Sequence, residues 1–280
     1  SQRPGPHLFC HPIEKGVIRN GGRNGAKYAP KVLLNQLGQM QRGDLQWDQI
    51  CIHEIMNMPG EDLTEYQHKV QQYMKLWQRH SGQAPFIQIG GGHDHIAPFL
   101  EVIAENHPQK KIIILNIDAH LDTRMDRVHH SGTPFRQFDQ SKKSDFHLIQ
   151  YGIHQYSNSK ETYDPLVYGK QTIISMPRLL ELTDFFRRSS TEYLYPFFYP
   201  PSDHILVFSL DCDAIHASDL DAVSAVNHQG IPMEHIFEII NWFKTLPSAN
   251  KYWGLYEYNP IFDSLSAKGA KQLAGILYEI

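Results

Sequence analysis

Residues Ile112–Asp122 read IIILNIDAHLD. The opening run Ile112–Leu115 is unbroken and apolar, as required of a strand buried on both faces of a parallel sheet. Behind it stand Asp118, His120 and Asp122 at alternate positions. Alternate residues of an extended strand point to one side. A strand continuing through Asp122 would therefore present carboxylate, imidazole and carboxylate together, with Ala119 and Leu121 turned away. In open α/β sheets ligands bind beyond the C-terminal ends of the strands. The stretch thus predicts a fold class and the end of the sheet where the chemistry sits.

Working outward, short β-rich runs alternate with longer amphipathic segments. Predicted strands are Phe86–Ile89, Ile112–Asp118, His147–Gly152, Thr172–Ser175, Ile205–Asp211 and Tyr252–Tyr258. Predicted helices are Leu63–His80, Ile96–Asn106, Met176–Arg188, Glu234–Thr245 and Ala267–Tyr278. This alternation implies an α/β fold, a mostly parallel sheet with helices on both faces. The aromatic and proline-rich stretch Thr191–His204 reads as an ordered loop. No repeat or linker interrupts the chain, so a single domain over residues 1–280 is expected.

Three further clusters end predicted strands: GGGHDH at Gly90–His95, SLDCD at Ser209–Asp213 and EYNP at Glu257–Pro260. Asp211 and Asp213 converge by the same alternation, with Cys212 facing away as a buried small residue. His93 adds an imidazole from a glycine loop that lets backbone approach closely. A lone aspartate at a strand end is usually a turn or cap residue, and His95, His129 and His216 taken singly read as ordinary structural histidines. Four aspartates gathered in one place are different. Burying them without cations is strongly unfavourable. Two divalent ions and a hydroxide leave one negative charge, which a cationic amidinium substrate neutralises. Carboxylate and imidazole ligands without thiolate favour Mn2+ over structural zinc.

Composition narrows the class. Of 280 residues 41% are hydrophobic and 20% charged, enough for a substantial core. The net charge of −4 and scattered Lys/Arg pairs offer no polyanion-binding surface, so no nucleic-acid partner is expected. Apolar runs such as Ile205–Phe208 are too short to span a bilayer, and the N-terminal residues lack a signal-like apolar stretch. Three cysteines, none in a CxxC pair, suit a reducing, cytoplasmic setting.

At these residues the sequence resembles the ureohydrolase family of arginases, agmatinases and formimidoylglutamases. GGGH, DAHLD, SLDCD and EYNP occur in family order, and Gly21–Ala26 with Ala29-Pro30 is similar to the family's entry segment. The resemblance implies a three-layer αβα sandwich and two Mn2+ ions. It carries the ligands over to His93, Asp118, His120, Asp122, Asp211 and Asp213. Asp118 and Asp211 would bridge, His93 and Asp122 would complete one ion, and His120 and Asp213 the other. Glu257 matches the carboxylate that pairs with the substrate nitrogens, and Asp122 would relay a proton to the leaving amine.

Gly92, Arg124 in DAHLDTR and the segment Ser131–Arg136 resemble the formimidoylglutamase branch. That branch implies cleavage of N-formimidoyl-L-glutamate to glutamate and formamide, in histidine degradation. Arg124, Ser131 and Arg136 are then candidate substrate contacts, because a guanidinium grips a carboxylate in bidentate fashion. Arginases carry a proton-shuttling histidine where this chain has Ser131, and His130, one residue earlier, is the candidate for that role. Departures after SLDCD, at Ala214–Ala217 and Asp219–Ala222, fall in the loop that shapes the pocket. The alternatives are an agmatinase or other guanidino-compound hydrolase releasing urea, and a non-catalytic protein that keeps the metal site for stability. A single-zinc deacetylase lacks the full motif set. Family membership also implies a homo-oligomer.

Overall fold

The apolar run at Ile112 is buried throughout, and the strand it forms belongs to one sheet of eight parallel strands. The computed structural model describes residues 5–41, 50–78, 84–181, 194–198, 203–248 and 250–280. Its strands are β1 (His7–Cys10), β2 (Cys51–Glu54), β3 (Phe86–Ile89), β4 (Ile112–Ile117), β5 (Phe146–Ile153), β6 (Lys170–Ser175), β7 (Ile205–Asp211) and β8 (Lys251–Tyr256). They lie in the order β2-β1-β3-β8-β7-β4-β5-β6. The helices are α1 (Lys15–Arg19), α2 (Ala29–Gly38), α3 (Leu63–Gln78), α4 (Ile96–Asn106), α5 (Pro134–Ser141), α6 (Met176–Glu181), α7 (Tyr195–Phe198), α8 (Met233–Thr245) and α9 (Lys268–Glu279).

The period-two rule assigns each strand residue to a face. Ile113, Leu115 and Ile117 of β4 and Leu206, Phe208 and Leu210 of β7 enter one core, closed by α2, α8 and α9. Ile112, Ile114, Ile205 and Val207 enter the other, closed by α3, α4 and α5. The result is the three-layer αβα sandwich. Fully burying each such aliphatic side chain contributes about 1.5–3 kcal/mol, so two-sided strands anchor the sheet. The helices follow from 3.6-residue spacing: α3 buries Leu63, Tyr66, Val70 and Met74.

The order β3-β8-β7-β4 is the feature that positions the site. These four adjacent strands are the ones that precede the GGGH, EYNP, SLDCD and DAHLD motifs. After β3 the chain passes over two strand positions to β4, and β7 and β8 later fill the gap. Register brings the ends level: Ile117 pairs with Leu210, Asp211 with Tyr256, and Ile89 with Leu255.

Several expectations are corrected. β1 and β2 were not foreseen. Each is four residues long with a histidine in it, which gives no apolar run or clear alternation, yet β1 is inserted between β2 and β3 and fully buried. α1 and α2 were also missed, although Pro30 stands in the first turn of α2. The segment Ser131–Arg136 runs into α5, a helix absent from the sequence expectation, with Pro134 in its first turn and Lys142 closing it in the left-handed region. β4 stops at Ile117, so the strand does not run on to Asp122. Within Thr191–His204 the short helix α7 replaces part of the expected loop, and residues 191–193 and 199–202 lie outside the described residues. So do residues 79–80 of the helix expected over Leu63–His80 and residues 182–188 of that expected over Met176–Arg188.

Candidate metal centre

The six expected metal ligands form two overlapping groups. His93, Asp118, Asp122 and Asp211 make one, and Asp118, His120 and Asp213 the other, with the ligand atoms of each within 4.8 Å of one another. His93 Nδ1 lies 2.9 Å from Asp122 Oδ2 and 3.2 Å from both Asp118 Oδ2 and Asp211 Oδ2. His120 Nδ1 lies 2.9 Å from Asp213 Oδ2 and 3.6 Å from Asp118 Oδ1. Asp118 thus turns one oxygen to each imidazole and is the shared member. Asp211 joins only the first group; its Oδ1 accepts the N–H of Asp213 at 2.9 Å.

Convergence of Asp118, His120 and Asp122 has another cause than strand alternation. Beyond Ile117 the backbone is irregular, and Asp122 takes a left-handed φ of 52°. Amide side chains hold it there. Asn158 Oδ1 accepts from the Leu121 N–H at 2.8 Å, and its Nδ2 donates to the Ala119 carbonyl at 3.0 Å. Gln150 Nε2 donates to the Leu121 carbonyl at 2.6 Å, while Asn116 Nδ2 reaches Gln150 Oε1 at 2.9 Å and Asp118 Oδ2 at 3.2 Å. These three amides were not singled out from sequence. Asn116 and Gln150 lie on paired strands in matched register, but Asn158 lies in an irregular segment that carries no signal.

Glu257 is held just as firmly. It is 6% exposed and has a φ of 64°, a conformation few non-glycine residues adopt. Its N–H donates to the Gly91 carbonyl at 2.8 Å, and the His93 N–H donates to its Oε1 at 3.0 Å. Gly91 is required by contact: a Cβ there would lie 1.9 Å from the Ile13 carbonyl oxygen. His93 Nε2 lies 2.8 Å from Ser209 Oγ, and the ring stacks on Tyr256 at 4.9 Å, which fixes the direction of Nδ1. Ser209, two residues before Asp211 on β7, was legible from period-two spacing.

Electrostatics tests whether the group suits cations. Burial raises Asp211 well above the usual carboxylate range, and Asp213 and Asp118 raise it further. Burial, then the charge of Asp118, pushes Asp122 up to about 6. Burial pushes Glu257 up to about 8. Burial lowers His93, but the three aspartates crowded at its Nδ1 outweigh that and hold it well above its ordinary value. His93 Nδ1 and Asp213 Oδ1 are buried without a well-formed hydrogen bond. Asp122, Asp211 and Asp213, raised by burial and by neighbouring carboxylates, and Asp118, lowered by His120 and His93 against its burial, surround an imidazole nitrogen without a well-formed hydrogen bond, a donor set that two divalent cations fit. Burial, then Asp211 and Asp213, raises the Cys212 thiol, as suits an inert buried residue.

The rim differs from expectation. Arg136 is 3% exposed and donates to the carbonyls of Thr123, Pro165 and Asp164. It clamps two loops together, with its Nε, Nη1 and Nη2 each turned to a backbone carbonyl. His130 Nδ1 accepts the Gly132 N–H at 3.0 Å, so Nε2 carries the proton and faces Asp126 at 2.7 Å. Both ring nitrogens are engaged locally. Ser131 Oγ is buried and accepts from Asn20 Nδ2 at 3.0 Å. Arg124 is exposed, and its Nη1 donates to Asn20 Oδ1 at 2.6 Å. Asn20 was not foreseen. His95 stacks on His11, His216 closes a turn with Ser218, and the His129 carbonyl accepts from Arg19; none joins the cation cluster.

A family model described as the Arginase family matches residues 7–280. The chain belongs to the arginase family. Among curated proteins, it is 27% identical over 286 residues to a formimidoylglutamase of Klebsiella pneumoniae, covering 98% of this chain and 84% of that protein. Among solved structures it is similar to a formimidoylglutamase of Bacillus subtilis, with a TM-score of 0.84 and 20% identity, covering 100% of this chain and 86% of the other. It is also similar to a formiminoglutamase of Trypanosoma cruzi solved with Mn2+, with a TM-score of 0.80 and 20% identity, covering 100% and 94%. These structural likenesses show the arginase-family fold.

Proposed function

We propose that this arginase-family protein hydrolyses the amidine C–N bond of N-formimidoyl-L-glutamate, giving L-glutamate and formamide. The observation that carries the reading is the pair of ligand groups sharing Asp118, with Glu257 fixed beside them through the His93 N–H. Similarity to formimidoylglutamases supports the choice of substrate.

His93, Asp118, Asp122 and Asp211 would hold one Mn2+, and Asp118, His120 and Asp213 the second. When bound, two such ions supply a water nucleophile ionised near neutral pH and positive charge where the reacting carbon becomes tetrahedral. The protein's own groups do the rest. Glu257 receives the amidinium N–H groups and orients the reacting carbon. Asp122 takes the proton of the attacking water and delivers it to the leaving nitrogen. Arg124, exposed and two residues beyond Asp122, meets the carboxylate tail.

Among the described residues no helix is long and apolar enough to cross a membrane, and all three cysteines are unpaired. We place the protein in the cytoplasm, in histidine degradation, as a single catalytic domain acting in a homo-oligomer on a small molecule.

The test is a substrate panel with Mn2+-loaded protein, scoring formamide, urea and ammonia. Formamide from N-formimidoyl-L-glutamate is expected. Urea from agmatine or arginine in its place would move the assignment to a guanidino-compound hydrolase, and no turnover of any of them would leave a non-catalytic metal protein.

A further inference from the structure

Helix α1 is wedged against the site from the outside. A Cβ on its Gly16 would fall 1.9 Å from Asp94 Oδ1, so the helix lies directly on the residue after His93. Its carboxyl end reaches the segment that follows Asp122. The Ser131 N–H donates to the Gly16 carbonyl at 3.3 Å, and Arg19 Nη1 donates to the His129 carbonyl at 3.2 Å. Asn20 closes the helix: its N–H donates to the carbonyls of Gly16 and Val17. Its side chain then uses both ends. Oδ1 accepts from Arg124 Nη1 at 2.6 Å, and Nδ2 donates to Ser131 Oγ at 3.0 Å. The Arg124 N–H is itself tied to the Gly132 carbonyl at 3.0 Å. Among the described residues no carboxylate pairs with Arg124.

We propose that Asn20 is a specificity-determining positioning residue. It is a neutral acceptor that aims the Arg124 guanidinium without neutralising it, so the charge stays available for a carboxylate on the substrate. The proposal rests on the formimidoylglutamase reading. The chemistry at this position is narrow. An aspartate would keep the shape and the bond but saturate Arg124 with its own charge, leaving none for an incoming carboxylate. An alanine would remove the bond and leave the guanidinium charged but less ordered.

The ranking of two variants separates aim from mere support. Wild type, Asn20→Ala, Asn20→Asp, Arg124→Ala and the double variant Asn20→Asp/Arg124→Ala are loaded with Mn2+. KM and kcat are measured for N-formimidoyl-L-glutamate and for an N-alkylformamidine that has no carboxylate. KM does not depend on the folded fraction, so a partly unfolded variant still reports. Asn20→Asp should raise KM for the dicarboxylate roughly tenfold and Asn20→Ala roughly twofold. The loss should be larger for the dicarboxylate than for the alkylformamidine. Asn20→Asp should add little once Arg124 is gone. Asn20→Ala worse than Asn20→Asp, or an Asn20→Asp cost that persists without Arg124, overturns the role of Asn20 alone. A wild-type protein that releases no formamide overturns this role and the formimidoylglutamase reading together.

Discussion

The floor of the site and its rim come from one continuous stretch of chain and are built in opposite ways. From Asp118 to Asp122, side chains point at one another and the backbone is held from behind by Asn158 and Gln150. From Arg124 to Arg136, the buried polar side chains turn to backbone, as Arg136 binds three carbonyls and His130 binds the Gly132 N–H, while Arg124 stays exposed. Identical residue types therefore mean different things a few positions apart. Where carboxylates crowd, burial makes each want a cation. Where an arginine is buried beside unpaired carbonyls, its donors are spent on them.

The sharpest way to break the contrast is at the shared floor ligand. Asp118→Asn should empty both positions and lower turnover by about a thousandfold or more. Asp211→Asn should chiefly weaken the position held by His93 and Asp122. Metal analysis after dialysis reads this as Mn2+ per chain. Equal loss in the two variants would make Asp211 a second shared ligand.

Glu257→Gln comes next. It keeps the shape and the bond to the His93 N–H but removes the charge that meets an amidinium. Mn2+ content should hold while kcat/KM drops by about a hundred- to a thousandfold. Near wild-type turnover would rule Glu257 out as the orienting group.

At the rim the effect moves from catalysis to stability. Arg136→Ala should cost about 2–4 kcal/mol in a denaturant titration, because the carbonyls of Thr123, Asp164 and Pro165 lose a charged donor. KM for the dicarboxylate should stay within about twofold of wild type. Unchanged stability with a much larger KM would return Arg136 to the substrate. The smallest effect belongs to His130→Gln, which should lower kcat by less than about threefold, whereas losing a true acid–base group costs about a hundredfold or more. A loss of that larger size would assign the shuttle to His130.

Much of the centre was legible because its signals are local. The apolar run at Ile112 and the alternation of strands and helices depend on neighbours a few residues away. A four-aspartate, two-histidine set at strand ends has few uses besides holding cations. These features determined the layered α/β fold, the catalytic end of the sheet and the six cluster residues. Tertiary structure decided the rest. It inserted the short β1 beside β3, set four motif-bearing strand ends side by side, and forced Asp122 and Glu257 into left-handed backbone. It also decided the role of each rim residue. Arg136 spends its donors on carbonyls as far as 29 positions away, and Arg124 is held by an asparagine 104 positions earlier in the chain. Local pattern names the chemistry a side chain carries; the partner that uses it is set by which distant backbone and side-chain groups folding leaves unpaired beside it.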